Sequence, residues 1–93
     1  MALQARLTIT GRVQGVGYRD WAMRTGRGLG LNGWVRNRSD GAVEALIVGD
    51  EAAVGRMIEA CRRGPPLARV DEIDIDPVDL DVLPDGFTQL PSV

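Results

Sequence analysis

Neither lysine nor histidine occurs anywhere in the chain, and cysteine occurs once, at Cys61. The absent lysine excludes the G-x-x-x-x-G-K-[ST] phosphate loop, which needs an ammonium on the nucleotide phosphates. The absent histidine removes the side chain whose unperturbed pKa falls in the physiological range, so no imidazole acid or base is available. One cysteine cannot close an internal disulfide, and nothing points to an oxidising compartment. Aromatics make up 4% of the residues, few for a module that stacks RNA bases on a sheet. No apolar run approaches the roughly eighteen residues of a membrane span. The first residues alternate apolar with polar, unlike the solid apolar block of a signal peptide. The expectation is a cytoplasmic monomer with neither a membrane nor a nucleic acid as partner.

What is present suits one soluble domain spanning residues 1–93, with 44% hydrophobic and 26% charged residues. A chain of this size buries roughly 60–68% of its unfolded surface. Charge is unevenly spread: residues 1–69 hold eleven arginines against six acids (+5), and residues 70–93 hold seven acids and no base (−7), giving the net −2. An acidic end of this kind argues against a nucleic-acid surface.

The chain is organised around Gly11–Arg19, which reads GRVQGVGYR. Leu3, Ala5, Leu7 and Ile9 alternate with polar residues ahead of it, which predicts a half-buried strand. Gly11, Gly15 and Gly17 let the backbone turn tightly with its N–H groups inward. A helix is expected from about Arg19, and its first turn has N–H groups without intrahelical partners. Inward amides, a helix N-terminus and a guanidinium together make a seat for phosphate. A cation at the positive end of a helix is disfavoured by roughly 0.3–1 kcal/mol, and a bound anion reverses that. The alternatives are that Arg19 pairs with Asp20 or points into water. The G-x-G-x-x-G dinucleotide pattern fails, because Asp20 stands at its third glycine.

Beyond the loop, Ala22, Thr25, Gly26 and Leu29 fall at helical spacing and give a narrow face of mostly small residues. Gly26 and Gly28 inside that face each cost about 1 kcal/mol relative to alanine, and Gly30 is a helix stop. Asn32–Asn37 reads as a strand, Arg38-Ser39-Asp40-Gly41 as a turn, and Val43–Val48 as the second strand of a hairpin. Asp50 is a candidate N-cap for a second helix, whose stripe is Val54, Met57, Ile58 and Cys61. Gly64-Pro65-Pro66 ends that helix. Ile73 and Ile75 alternate with Glu72, Asp74 and Asp76, whose carboxylates are expected to be a solvated face and no metal site. Pro84-Asp85-Gly86 turns the chain into a last short strand at Phe87–Leu90. This β-α-β-β-α-β order with one extra strand predicts an α+β, ferredoxin-like two-layer sandwich. Its five-stranded sheet is antiparallel or mixed, with two helices on one face and the other face wet. The fold by itself names no function.

GRVQGVGYR followed by GWVRNRSDGAVE closely resembles the acylphosphatases, small enzymes that hydrolyse acyl phosphates to a carboxylate and phosphate. The resemblance covers nearly the whole chain, including the Gly64-Pro65 helix end and the Gly86-Phe87 strand. It implies that the amides of Gly15, Val16, Gly17 and Tyr18, with Arg19, bind the phosphate. It also implies that Asn37 positions the attacking water, making Arg19 and Asn37 catalytic, with no metal and no cofactor. Gly26, Gly28 and Leu90 depart from the residues usual in that family and put stability in question more than activity.

The chemistry tolerates so small a set of groups. The leaving carboxylate, with a conjugate acid of pKa near 4, departs without a general acid. A loose transition state needs little help from a base, so positioning and charge stabilisation remain. Blander roles are open as well: Asn37 as a turn residue, Gln14 bonding backbone to fix the loop, Tyr18 and Trp34 as packing. Arg12, Arg36 and Arg38 are expected as exposed field charges. Two other functions fit parts of this pattern. One is a domain that holds carbamoyl or acyl phosphate without releasing it, like those opening large carbamoyl-transfer proteins of hydrogenase maturation. Against it, the chain reads as complete in itself from Met1 to its last strand. The other is a single-strand RNA reader on the same fold, disfavoured by the few aromatics and the acidic charge.

Overall fold

A computed structural model describes residues 2–93. The first alternating run forms β1 (Ala2–Arg12), which continues through Gly11, where its register against the neighbouring strand shifts. Gly11 therefore belongs to the strand, and the bend proper covers residues 13–17. Then follow α1 (Tyr18–Gly28), β2 (Asn32–Asn37), β3 (Val43–Asp50), α2 (Glu51–Arg63), β4 (Arg69–Pro77) and β5 (Phe87–Gln89). The sheet order is β4-β1-β3-β2-β5, with β5 parallel to β2 and every other pairing antiparallel. This is the ferredoxin-like βαββαβ sandwich with an added edge strand.

Side-chain parity decides the packing. Leu7, Ile9, Val35, Val43, Ala45 and Ile47 face one side of the sheet, where Ala22, Val54, Met57 and Cys61 of the two helices cover them. Alternation on the strands and the 3.6-residue stripe of α2 thus meet in one core. Asp50 caps α2 as expected, its carboxylate accepting from the Ala52 N–H at 3.1 Å.

The opposite face is less wet than the hydropathy pattern predicts. Leu46 and Val48 lie on it, yet both are buried. The connection from β4 to β5 joins opposite edges of the sheet and so has to cross it. It is tied down where Val48 sits between Gln4 and Asn32. Leu80 N–H donates to Gln4 Oε1 at 2.8 Å and Gly86 N–H to Asn32 Oδ1 at 2.9 Å. Further along, Arg36 lies over the Trp34 ring at 4.7 Å and bonds Glu44 Oε1 at 2.7 Å. Arg36 is therefore half-buried packing and no exposed field charge.

Gly26 has a reason that its helix propensity conceals. A Cβ placed there meets three carbons of the buried Phe87 ring at 2.7–3.0 Å. Phe87 belongs to β5, so the missing side chain is what lets α1 lie against that edge strand. Gly26→Ala is expected to destabilise the fold: overpacking costs about 1–3 kcal/mol against about 1 kcal/mol of propensity gained. Gly55, exposed in α2 with nothing within 4 Å of its would-be Cβ, should behave oppositely. Gly55→Ala is expected to add about 0.5–1 kcal/mol. Thermal unfolding checks both, at about 4–8 °C per kcal/mol for a domain of this size. A higher Tm for Gly26→Ala contradicts the packing account.

Candidate active site

The bend starts from Val13, which is fully buried and anchors the end of β1, while Val16 packs on the edge of the core. Gly15 (φ 74°) and Gly17 (φ 80°) adopt left-handed backbone that other residues rarely occupy. Gly17 is the N-cap of α1 and brings no capping side chain, and the helix begins at Tyr18, one residue earlier than expected. Among the described residues, the N–H groups of Gly15, Val16 and Gly17 donate to no protein acceptor. The first-turn N–H groups of Tyr18 and Arg19 continue that row. Together they form a concentration of positive dipole that can receive an oxyanion.

Arg19 lies in the first turn and is half-buried. Its pairing with Asp20 does not occur, because Asp20 bonds Arg24 one turn on, at 2.9 Å. Among the described residues the Arg19 side chain makes no hydrogen bond or ion pair. Its fork of N–H donors is therefore not committed to another described residue.

Tyr18 points the other way. Its side chain is 1% exposed, packs edge-on to Trp21 with ring centroids 5.3 Å apart, and donates its hydroxyl to the Cys61 carbonyl of α2 at 2.7 Å. Only its backbone can therefore face a ligand. Burial pushes the Tyr18 phenol far above its ordinary pKa, with Cys61 adding to the effect, and pushes the Cys61 thiol from near 9 up to about 11. Both groups hold their protons more tightly folded than unfolded. The stability they contribute is complete below about pH 9 and is lost as pH rises through the folded values. Tm is expected to fall between about pH 9 and pH 11; an unchanged Tm over that interval contradicts the burial of this pair.

Asn37 closes β2. By strand parity it shares the helix-covered side with Gly33 and Val35, opposite Val43 in register. Its carbonyl accepts from the Val93 N–H at 3.0 Å, which holds the strand end from the far side. Its carboxamide has no hydrogen bond among the described residues. The turn that follows is closed by Arg38 N–H to Ala42 O at 2.8 Å and by Asp40 Oδ1 accepting from Ala42 N–H at 3.0 Å. Arg38 is engaged with Asp40 at 2.9 Å and is no free field charge. Arg12 is exposed, directly opposite Arg69 in register.

Bend and turn are fastened by Gln14, whose Nε2 donates to Arg38 O at 2.8 Å and to Ala42 O at 2.9 Å. The bend that carries Gly15, Val16 and Gly17 into Tyr18 and Arg19 is thus tied to Arg38, the residue that follows Asn37. The partners of Gln14 are what the sequence did not show, since both are main-chain carbonyls and leave no residue signature. Among the described residues no group of three His, Cys, Asp or Glu side chains is placed to hold a metal ion, and no helix is long and apolar enough to cross a membrane.

Fold and bend together define a small α+β protein whose glycine bend, with amides that find no partner among the described residues, runs straight into the start of its first helix. A model of the Acylphosphatase family matches residues 5–88. An acylphosphatase of Rhodospirillum rubrum is 59% identical over 85 residues, covering 91% of this chain and 92% of that one. The crystal structure of acylphosphatase from Bacillus subtilis superposes with TM-score 0.90 at 36% identity, covering 97% of this chain and 99% of that one. Full-length HypF in its phosphate- and nucleotide-bound form matches with TM-score 0.90 at 26% identity, covering 99% of this chain but 12% of that one. The chain belongs to the acylphosphatase family, hydrolases that cleave the carboxyl–phosphate bond of acyl phosphates.

Proposed function

We propose that this enzyme grips the phosphoryl group of a small acyl phosphate with the amides of Gly15, Val16, Gly17 and Tyr18 and the guanidinium of Arg19, and that Asn37 aims the attacking water. The observation that carries this reading is that, among the described residues, neither the amides at residues 15–17 nor the Arg19 side chain two residues on has a partner. Donors fixed in advance on the equatorial oxygens stabilise the charge that spreads there as the bond to the carboxylate loosens. The Asn37 carboxamide oxygen accepts a hydrogen bond from the water and fixes its line of approach to phosphorus. The carboxylate leaves with the bonding pair, and the water's proton passes to a phosphate oxygen. With no histidine in the chain, the rate is expected to show no limb near pH 6.5 from an imidazole. Every group invoked comes from one chain, so the reading extends to a monomer as the working unit.

Hydrolysis of a synthetic aroyl phosphate in EDTA, in water labelled with heavy oxygen, tests the reading. Label in the released phosphate at an undiminished rate is expected, because water attacks phosphorus without a metal. Label in the carboxylate instead means attack at the acyl carbon, and the reading fails.

A further inference from the structure

The two halves of the proposed site belong to different parts of the chain. The phosphate grip is built on the bend after β1, and Asn37 on the end of β2. Their separation sets the line along which water meets phosphorus, so something has to fix it. The β1–β3 ladder does not do so, because its last pair is Ile9 with Val43 and the bend lies beyond it. Among the described residues, the side-chain hydrogen bonds between the bend and the β2–β3 turn are the two made by Gln14.

We propose that Gln14 is a positioning residue for the reaction, its carboxamide nitrogen setting the register between the phosphate-holding bend and the strand end that carries Asn37. Both partners are carbonyl oxygens, so only a donor fits, and one NH₂ supplies a proton to each. The two acceptors, Arg38 O and Ala42 O, lie across the mouth of the turn, and Ala42 O also accepts from Arg38 N–H. Gln14 thereby closes the turn immediately after Asn37 while holding the bend immediately before Gly15. A carboxylate at this position has no proton to give and faces two carbonyls. A hydrocarbon of equal length leaves both carbonyls without that donor.

The inference rests on the reading of Asn37 as the water-positioning group, and a mutant cycle separates the two. Gln14→Met keeps length and volume and loses both donors. It is expected to lower kcat for an aroyl phosphate by about 10–100-fold, the scale of a small misplacement of reacting groups. Inhibition by inorganic phosphate should stay within about threefold, because the grip lies wholly on the bend side. In an Asn37→Ala background the same substitution should change kcat by less than about twofold, since the group it positions is gone. Gln14→Asn, which keeps the donors but is one methylene short, should fall with Gln14→Met. It replaces Gln14→Met in the cycle if that variant is unfolded by circular dichroism. Phosphate inhibition weakening in step with kcat, or an equal loss in both backgrounds, overturns the assignment and makes Gln14 a support of the bend alone. Asn37→Ala with wild-type turnover overturns the reading of Asn37 itself, and this inference with it.

Discussion

Arg19→Lys is expected to lower turnover of an acyl phosphate by about 10²–10³-fold, and Arg19→Ala by at least as much. Charge is conserved in the first of these, so the loss isolates geometry. A guanidinium offers two parallel N–H donors to two phosphate oxygens, whereas an ammonium is a point charge on a flexible stem. The structure gives Arg19 no competing duty, since Asp20 is taken by Arg24 and no other acceptor engages the guanidinium among the described residues. Replacing it should therefore leave the fold intact, with an unchanged Tm, while affinity for inorganic phosphate falls along with kcat. Steady-state kinetics with phosphate as a competitive inhibitor reads both quantities. Near-wild-type turnover in Arg19→Lys contradicts the proposed role.

Asn37→Ala is expected to act on the other side of the reaction. Turnover should fall by about 10²-fold or more, because effective molarity depends on a fixed line of approach for water. The inhibition constant for phosphate should hardly move. Asn37 is held by its backbone, through the ladder to Val43 and the bond from Val93 N–H. Removing its carboxamide should leave that framework standing. A loss in kcat with spared phosphate affinity marks an interaction made only on the way to the transition state. Equal losses in both would place Asn37 in binding, and retained turnover would remove it from the mechanism.

The two glycines of α1, Gly26 and Gly28, look alike in sequence and differ in space. Propensity treats Gly26 and Gly28 alike, as costs to the helix. In space they differ, because Gly26 lies under the ring of Phe87 and Gly28 has nothing within 4 Å. That contact joins residues 61 positions apart, and no local rule reaches so far. Arg36 is a similar case. Its charge suggests exposure, but the register that sets it opposite Glu44 and its place over Trp34 make it half-buried packing on the face opposite the helices.

By itself the sequence determined the element order, the inward faces of β1 and α2, and the type of chemistry available. Those depend on periodicity, on glycine and proline at turns, and on which side chains exist at all. A chain without histidine or lysine has arginine, backbone amides and carboxamides left to act on a phosphoryl group. Tertiary structure decided which of those groups stay free and which are spent. It committed the Tyr18 hydroxyl to α2, gave Asp20 to Arg24, and set Gln14 across to the turn behind Asn37. Such choices rest on distances between segments remote in the chain, and these exist only once the sheet has fixed the register of its strands.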